Sequence, residues 1–262
     1  MKKQALLNTY INNLTMQEAV RELMDRLRGR KVSYVVPVNV DVLVKMETDS
    51  YLKEIARRAD LTLADGKPLL WIAGLFGKPL KQKISGSDLA PALLEEAAKH
   101  GYSVYILGGM GDAPAKAAAM VRKSWKGIRI AGFFAPPFGF ERDEDALKRI
   151  NERIRAAEPD ILLACFGCPK QEKWVYENNR KTSAVVTICA GATVDFLAGT
   201  ARRAPGWVSR MGFEWFYRFL QEPRRLFRRY FVDDLTIIPM IWKYGPRQIT
   251  GKRRGGGIWQ GR

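Results

Sequence analysis

The sequence contains few of the residues on which several kinds of catalysis depend. Among its 262 residues there is one histidine, His100, and there are three cysteines, Cys165, Cys168 and Cys189. His100 lies at the end of a predicted helix, which leaves Ser-His-Asp and Cys-His catalysis without a suitable base. Three cysteines cannot form a complete set of disulfides, and a chain of this length needs none, which is typical of a reducing cytoplasm.

Long apolar runs are also missing. The N-terminal segment carries two lysines, but polar residues interrupt it before a signal-peptide core of about 7–15 apolar residues could form. The longest uncharged apolar run near the C-terminus covers residues 235–242, far short of the roughly 20 residues that span a bilayer. The sequence therefore predicts neither secretion nor a transmembrane segment.

Acidic residues are scarce relative to basic ones. The chain has 44 Lys and Arg residues against 27 Asp and Glu residues, a formal net charge of +17. Residues 201–262 alone hold 14 basic against 4 acidic residues. This uneven distribution indicates a polyanionic partner.

Short β-branched runs alternate with amphipathic stretches of 10–16 residues, which predicts an α/β fold with a mostly parallel sheet. The predicted strands cover residues 32–38, 61–64, 103–109, 128–134, 161–166 and 184–189. The predicted helices cover residues 16–27, 89–100, 113–125, 143–157 and 171–178. Thr15 and Glu18 form a capping box for the first helix, and Ser87 or Asp88 is expected to cap the second. Ligands of such sheets bind beyond the carboxyl ends of the strands.

We expect three segments along the chain. Residues 1–203 form the main α/β domain, and residues 204–242, where large aromatic side chains alternate with arginines, form a helical appendage. Within the appendage, four bulky residues recur at spacings of 4, 7 and 4, which predicts one apolar helix face: Trp215, Phe219, Leu226 and Tyr230. Residues 243–262 are rich in Gly and Arg and are predicted to be a disordered tail.

Two polar residues that follow predicted strands are candidates for catalysis. Asp65 precedes Gly66 just past the strand 61–64, where a carboxylate can face a bound substrate and serve as a general base. On the dipeptide alone, a turn aspartate that bonds its own backbone is the simpler interpretation. Asn39 follows the strand 32–38 and would reach the same sheet edge, or it caps the next helix. Both alternatives stay open for each residue.

The turn from Gly108 to Asp112, which includes Gly109, follows a strand and precedes a helix, as a phosphate-binding loop would. It does not match G-x-G-x-x-G, and no acidic residue closes the next strand, so a dinucleotide-dependent dehydrogenase is disfavoured. A single glycine-rich turn is also compatible with tight packing alone.

Cys165 and Cys168 form a C-x-x-C pattern, but neither a metal nor a redox function fits it well. Zinc requires four N or S ligands, and the chain offers one further cysteine and one histidine. A thioredoxin-like pair would have both cysteines at a helix N-terminus, whereas Cys165 is part of the predicted strand 161–166. We therefore expect buried thiols, with Lys170 or Gln171 contacting a nucleotide at the helix start. The acidic residues 143–145 match D-x-D but suit a first helical turn, so no metal site is predicted.

Several segments, in unbroken order over residues 5–230, together resemble the WecG/TagA/CpsF glycosyltransferases, also classed as glycosyltransferase family 26. The segments are NVD with Asn39, LADGKPL with Asp65, GSDL at 86–89, LGG at 107–109, GCPKQEKW at 167–174, GATVDFLAG at 191–199, RAP at 203–205 and GFEWFYRFLQEPRR at 212–225. The last four are specific to this family.

The resemblance implies a Rossmann-like, mostly parallel sheet flanked by helices, with a C-terminal helical appendage. It implies inverting, metal-independent transfer without a cofactor, from a UDP-sugar such as UDP-N-acetylmannosamine. The implied acceptor is N-acetylglucosamine on undecaprenyl diphosphate, in the synthesis of cell-wall polymers such as teichoic acid or of extracellular polysaccharide. The protein is then expected at the cytoplasmic face of the membrane, bound peripherally to the anionic surface. A homo-oligomer is compatible with this, and the oligomeric state stays open.

By the same resemblance, Asp65 falls on the family's proposed catalytic base and Asn39 on an asparagine near the sugar. With the turn residues above, the expected substrate-binding set is Lys83, Gly108, Gly109, Lys170, Gln171, Asp195, Arg218, Arg225 and Arg228. Gln171 and Asp195 fall in nucleotide and pocket motifs. The three arginines fall on appendage positions proposed to hold the acceptor diphosphate.

Two departures from the family pattern leave the donor sugar open. Pro37 stands where relatives often carry Thr, and Lys83 stands where an Arg often precedes the G-x-D-L segment. Two other classes of function compete with an enzyme. A basic nucleic-acid-binding protein could stack bases on the aromatic residues, but no recognised motif of that kind is present, so no nucleic acid is predicted as a partner. A non-catalytic scaffold at the membrane surface would leave the α/β pocket unused.

Overall fold

The computed structural model of the chain describes residues 3–249, without the side chains at positions 209, 210, 225 and 247. The strands are β1 (Lys3–Leu6), β2 (Thr9–Asn12), β3 (Ser33–Val38), β4 (Leu61–Ala64), β5 (Ser103–Gly108), β6 (Arg129–Phe134), β7 (Ile161–Cys165) and β8 (Val186–Cys189). The helices before the appendage are α1 (Met16–Arg28), α2 (Val40–Thr48), α3 (Ser50–Arg58), α4 (Lys67–Leu75), α5 (Gly86–Ala98), α6 (Ala113–Ser124), α7 (Glu144–Ala157), α8 (Lys170–Asn178) and α9 (Thr193–Ala198). The helices that follow are α10 (Gly206–Met211), α11 (Glu214–Gln221), α12 (Pro223–Arg228) and α13 (Ile237–Ile249).

The main sheet has six parallel strands in the order β4-β3-β8-β7-β5-β6, and β1 pairs with β2 in a separate antiparallel hairpin. Strands β3 and β7 are buried along their whole length, as expected for a sheet covered by helices on both faces. Along β5, Val104 and Ile106 face one hydrophobic core and Tyr105 and Leu107 face the other. The predicted α/β, Rossmann-like fold is confirmed.

Two predicted helix starts appear with their capping groups. The Thr15 hydroxyl accepts from the Glu18 N–H at 3.2 Å, and the Glu18 carboxylate accepts from the Thr15 N–H at 2.7 Å. Asp143 caps α7 by accepting from the Ala146 N–H at 2.9 Å. The acidic residues 143–145 therefore belong to a helix start, as expected.

The predicted start of α5 is wrong. Its cap is Ser85, whose hydroxyl accepts from the Asp88 N–H at 3.1 Å and contacts the Asp88 carboxylate at 2.6 Å. The helix then begins at Gly86, three residues earlier than expected. A side chain at Gly86 would begin 3.0 Å from the Cys189 carbonyl oxygen, so the missing side chain lets the first turn of α5 lie against the end of β8.

The single apolar helix face predicted for the appendage is also wrong. Helix α11 ends at Gln221, and Pro223, which has no N–H to donate, opens the separate helix α12. A π-helical turn, Arg229–Asp233, follows directly. The aromatic side chains meet across this bend, with the ring centroids of Trp215 and Tyr230 5.7 Å apart.

The last helix, α13, begins within the appendage and leads the chain back to the α/β domain. Helix α13 continues past residue 243, where the tail was predicted to begin, and residues 250–262 of that predicted tail lie outside the described residues. The Lys243 ammonium and the Tyr244 hydroxyl both donate to the Glu47 carboxylate, at 2.8 and 2.7 Å. In the described part of the chain, no helix combines the length and apolar character needed to cross a bilayer.

Candidate functional site

Two adjoining cavities lie at the carboxyl ends of the parallel strands, between the turns of the sheet and the appendage. The larger one, about 1260 Å³, is lined by the turns after β3, β4, β5, β7 and β8 and by appendage residues. The smaller one, about 390 Å³, has a more aromatic wall that includes Trp71, Trp215 and Tyr230. Seven residues line both cavities: Asn39, Asp41, Asp65, Ser87, Phe196, Arg218 and Arg229.

Asp65 lies where the two cavities meet, directly after β4. Its N–H donates to the Val38 carbonyl at 2.8 Å, which extends the pairing of β4 with β3 by one residue. Gly66 follows with a φ of 121°, so the chain turns away sharply and leaves the carboxyl group at the cavity wall. Burial raises the pKa of Asp65 to about 6, although the nearby Lys83 ammonium acts in the opposite direction. A carboxylate of this kind can accept a proton near neutral pH.

Asn39 reaches the same edge of the sheet, as expected, and it also caps α2. Its side-chain oxygen accepts from the Val42 N–H at 3.1 Å. The side chain lines both cavities, so a contact with a ligand would use its amide nitrogen. Its two proposed functions are therefore compatible.

The two glycines of the turn after β5 differ in their surroundings. Gly109 lines the larger cavity. Gly108 has a φ of 122°, and a side chain there would begin 2.3 Å from the Cys165 carbonyl oxygen, which no residue other than glycine can accommodate. Packing against β7 therefore explains Gly108 by itself.

Lys170 and Gln171 begin α8 at the wall of the larger cavity. The Lys170 ammonium lies 2.8 Å from the Glu141 carboxylate. The buried Gln171 side chain accepts from the N–H groups of Gly167 and Gly191 at 3.2 and 3.1 Å, so it ties together the turns that follow β7 and β8. Gln171 thus shapes the cavity wall whether or not it touches a ligand.

The neighbouring Glu172 is a buried titratable residue that the sequence did not single out. Its carboxyl group accepts from the Gln171 amide at 2.8 Å, and the residue is 1% exposed. Burial raises its pKa, because the charged form of a carboxyl group is disfavoured away from water. It lines the larger cavity beside Cys168.

The three cysteines are free thiols at the floor of the larger cavity. Burial raises the pKa of Cys165 to about 12, and it raises the pKa values of Cys168 and Cys189 as well. Raised pKa values disfavour the reactive thiolate. Across residues 3–249 no three His, Cys, Asp or Glu side chains are grouped so that they could hold a metal ion.

The appendage arginines occupy different places. Arg218 lines both cavities, and its guanidinium lies 5.8 Å from the centre of the Phe196 ring. Arg228 is 84% exposed, pairs with Asp233 at 3.8 Å and lines neither cavity. The side chain of Arg225 lies outside the described residues.

Arg229, which the sequence analysis did not select, reaches the site instead of Arg228. It lines both cavities, and its guanidinium lies 3.3 Å from the Asp41 carboxylate. The bend at Pro223 and the π-helical turn determine that Arg229, and not Arg228, faces the cavities. Helical spacing from Arg218 could not have indicated this, because that spacing assumes one continuous helix.

The two remaining predicted residues line different cavities. Asp195, in the first turn of α9, lines the larger cavity. Lys83 lines the smaller cavity, where its ammonium lies between the Asp88 and Glu214 carboxylates, 2.9 Å from each. Glu214 is a second appendage residue that the sequence analysis did not select.

Comparison with known proteins gives two findings. Residues 4–250 match the model of a family described as the glycosyl transferase WecG/TagA/CpsF family. A protein from Bacillus spizizenii, named N-acetylglucosaminyldiphosphoundecaprenol N-acetyl-beta-D-mannosaminyltransferase, is 28% identical over 199 residues, which cover 76% of this chain and 75% of that protein. The family match includes the sheet, the turns that line both cavities and the appendage.

Proposed function

Because the chain belongs to the WecG/TagA/CpsF family of glycosyltransferases, we propose that it moves N-acetylmannosamine or a related hexose from a UDP-sugar to a sugar on undecaprenyl diphosphate. The name of the Bacillus spizizenii relative supports this choice of transferred sugar and acceptor. One observation carries the proposal: a carboxyl group with a pKa near 6 lies where two substrate-sized cavities meet. A transfer between two sugars needs a base at such a junction.

The larger cavity is the proposed site for the nucleotide sugar. Its volume of about 1260 Å³ exceeds that of a typical small-ligand pocket, and it lies beyond the carboxyl ends of the strands, where open α/β sheets bind nucleotides. Gly109, Lys170 and Asp195 lie on its wall. The backbone N–H groups of the glycine turn and the cationic side chains can offset negative charge on a leaving UDP.

The smaller cavity is the proposed site for the acceptor sugar. Its aromatic side chains, among them Trp71 and Trp215, offer flat apolar surfaces, and Lys83 and Arg218 add positive charge. Arg218 and Arg229 both extend into the larger cavity as well, so a diphosphate near the junction could meet two guanidinium groups with paired N–H donors.

The proposed reaction is a single displacement. The Asp65 carboxylate removes the proton from the acceptor hydroxyl as the oxygen of that hydroxyl attacks the anomeric carbon of the donor sugar. The bond between that carbon and the UDP oxygen breaks on the opposite face, so the configuration inverts. The charge that develops on UDP is met by protein cations and N–H groups, and we propose that no metal ion is required.

The appendage is the proposed contact with the membrane. Bulky side chains on its outer surface are exposed, among them Trp207, Leu220, Phe227 and Trp242. Arg228 and Arg224 lie exposed on the same segment, a mixture of apolar and basic side chains that suits an anionic bilayer surface. We therefore propose a peripheral position at the cytoplasmic face of the membrane.

The function is tested by mixing the protein with a short-chain N-acetylglucosamine diphosphate lipid and a set of UDP-sugars, and then following UDP release and product mass. We expect transfer of one N-acetylhexosamine or hexose with inversion, and no transfer without the lipid-linked acceptor. A protein that releases no UDP with any pair but shifts the mobility of RNA or DNA would instead be the basic nucleic-acid-binding protein that its charge allows.

A further inference from the structure

The Lys83 ammonium connects the α/β domain to the appendage. It lies 2.9 Å from the Asp88 carboxylate in the first turn of α5 and 2.9 Å from the Glu214 carboxylate in the first turn of α11. The Lys83 side chain is only 13% exposed, so this contact is largely shielded from water. Glu214 and Lys83 are 131 positions apart in the chain, so the pair exists only while α11 is docked.

The two carboxylates that hold Lys83 are anchored differently. Asp88 also contacts the Ser85 hydroxyl at 2.6 Å and the Arg203 guanidinium at 3.3 Å, and it belongs to a helix of the α/β domain. Glu214 belongs to the short helix α11. If the appendage moves, Asp88 therefore stays beside Lys83, whereas Glu214 leaves.

Asp65 lies in the same cavity as Lys83 and Glu214. Two cations and two anions act on its carboxyl group: Lys83, Arg218, Asp88 and Glu214. Besides Lys83, Glu214 and Arg218, the charged residues that line this cavity with Asp65 are Lys67 on α4, Asp41 on α2, and Arg229 and Asp234 from the turns after α12. Loss of Glu214 would leave an excess of positive charge next to Asp65.

We propose that Glu214 is a positioning residue that couples docking of the appendage to the catalytic carboxylate. With α11 docked, Glu214 holds the Lys83 ammonium between itself and Asp88. With α11 displaced, the ammonium is released towards Asp65, pairs with its carboxylate and weakens it as a base. The proposal rests on the proposed function of Asp65, and it would restrict proton removal to the closed site with both substrates enclosed.

The electrostatics of Asp65 agree with this geometry. Burial has the largest effect and raises the pKa of Asp65, the Lys83 ammonium lowers it, and Glu214 raises it again. A docked appendage therefore brings in a negative charge, that of Glu214, which compensates the charge of Lys83. This compensation favours a carboxylate that accepts a proton readily.

The test compares Glu214→Gln with wild type in two measurements. The first is the pH dependence of kcat/KM with the soluble short-chain acceptor, and the second is a carbon-13 NMR titration of the Asp65 carboxyl group. In Glu214→Gln we expect the midpoint pH of both curves to be lower than in wild type by about 0.5–1 pH unit. This is the size expected for removal of one nearby charge in a partly shielded site. Lys83→Gln should move the midpoint in the opposite direction.

Two matched variants complete the experiment. Glu214→Asp keeps the charge and should restore most of the wild-type midpoint, which a purely structural contribution of Glu214 would not explain. Asp233→Asn removes an exposed acid of the same appendage that lines neither cavity, and it should leave the midpoint unchanged.

Unchanged midpoints in Glu214→Gln and Lys83→Gln, with both proteins folded, would overturn the proposal. If Glu214→Gln does not fold, the Lys83→Gln midpoint decides alone. The NMR titration needs no turnover, so it still tests the coupling if the assay shows that the proposed function itself is wrong.

Discussion

The Arg229 guanidinium of the appendage lies 3.3 Å from the Asp41 carboxylate, which belongs to the first turn of α2 and is only 7% exposed. The same carboxylate oxygen accepts from the Lys45 ammonium at 2.8 Å. Arg229 is thus fixed at the wall of both cavities, whereas its neighbour Arg228 is in solvent. A guanidinium held in this way can donate two parallel hydrogen bonds to phosphate oxygens.

We expect Arg229→Gln to lower kcat/KM by about 10–100-fold, because one or two charge-assisted hydrogen bonds to a diphosphate would be lost. Arg228→Gln is the matched control and should change kcat/KM by less than about threefold, as is usual for an exposed arginine. Arg229→Lys should recover only part of the loss, because an ammonium cannot reproduce the planar pair of donors. A larger loss for Arg228→Gln than for Arg229→Gln would show that the inward-facing residue has been misidentified.

The raised pKa of Asp65 also predicts a pH dependence of stability. The folded protein holds the Asp65 proton up to a pKa of about 6, whereas an unfolded Asp loses it near pH 3.9. The folded state therefore binds more protons between these values, and its free energy of unfolding falls as pH rises through 6, by about 3 kcal/mol at most. Asp65→Asn removes this penalty.

We accordingly expect Asp65→Asn to raise the midpoint of thermal unfolding by several degrees at pH 8 and by little at pH 4. The comparison should be made without substrates, because a ligand that binds only the folded state would add its own stabilisation. Equal stability of the two proteins at both pH values would mean that the buried Asp65 carboxylate does not lower the free energy of unfolding.

Removal of divalent metal ions should leave transfer intact. The charges proposed to meet the leaving UDP are guanidinium, ammonium and N–H groups of the protein, so EDTA should change the initial rate by less than about twofold. The matched measurement adds Mg²⁺ or Mn²⁺ back to the chelated protein. Loss of turnover with EDTA and its return with either ion would contradict metal-independent transfer.

Membrane binding should depend on the outer surface of the appendage. Trp242 is 78% exposed, and its replacement by Ser should weaken binding to anionic vesicles by about tenfold or more, because a large side chain could no longer enter the bilayer interface. Turnover of a soluble short-chain acceptor should not change. Met120→Ser, at an exposed position on α6 of the α/β domain, is the control and should bind like wild type. If the Trp242→Ser protein binds vesicles as tightly as wild type does, this surface is not the contact with the membrane.

The elements of the α/β domain could be predicted from sequence because each has a local cause. Buried β-branched runs identify the strands, and the capping box of Thr15 and Glu18 identifies the start of α1. Asn39 and Asp65 were found because parallel strands end at one edge, so residues that follow them converge. The start of α5 was missed because Gly86 depends on close packing against β8, which local sequence does not record.

The inner surface of the appendage could not be predicted in the same way. The choice between Arg228 and Arg229 depends on a bend at Pro223 and on a π-helical turn, each of which shifts the helical phase. The contact of Glu214 with Lys83 joins positions that share no local pattern. The expected functions of the site residues rest on family resemblance, and for Arg225 and the other selected residues they stay predictions.

The central claim, that Asp65 is the catalytic base, is tested most directly by the turnover and UDP affinity of Asp65→Asn. The substitution is nearly isosteric and removes only the ability to accept a proton. We expect Asp65→Asn to bind UDP with wild-type affinity, and we expect its kcat to be about 10²–10⁴-fold lower. In the wild-type protein, kcat/KM should fall as the pH is lowered below about 6. Near-wild-type turnover in Asp65→Asn would contradict the account.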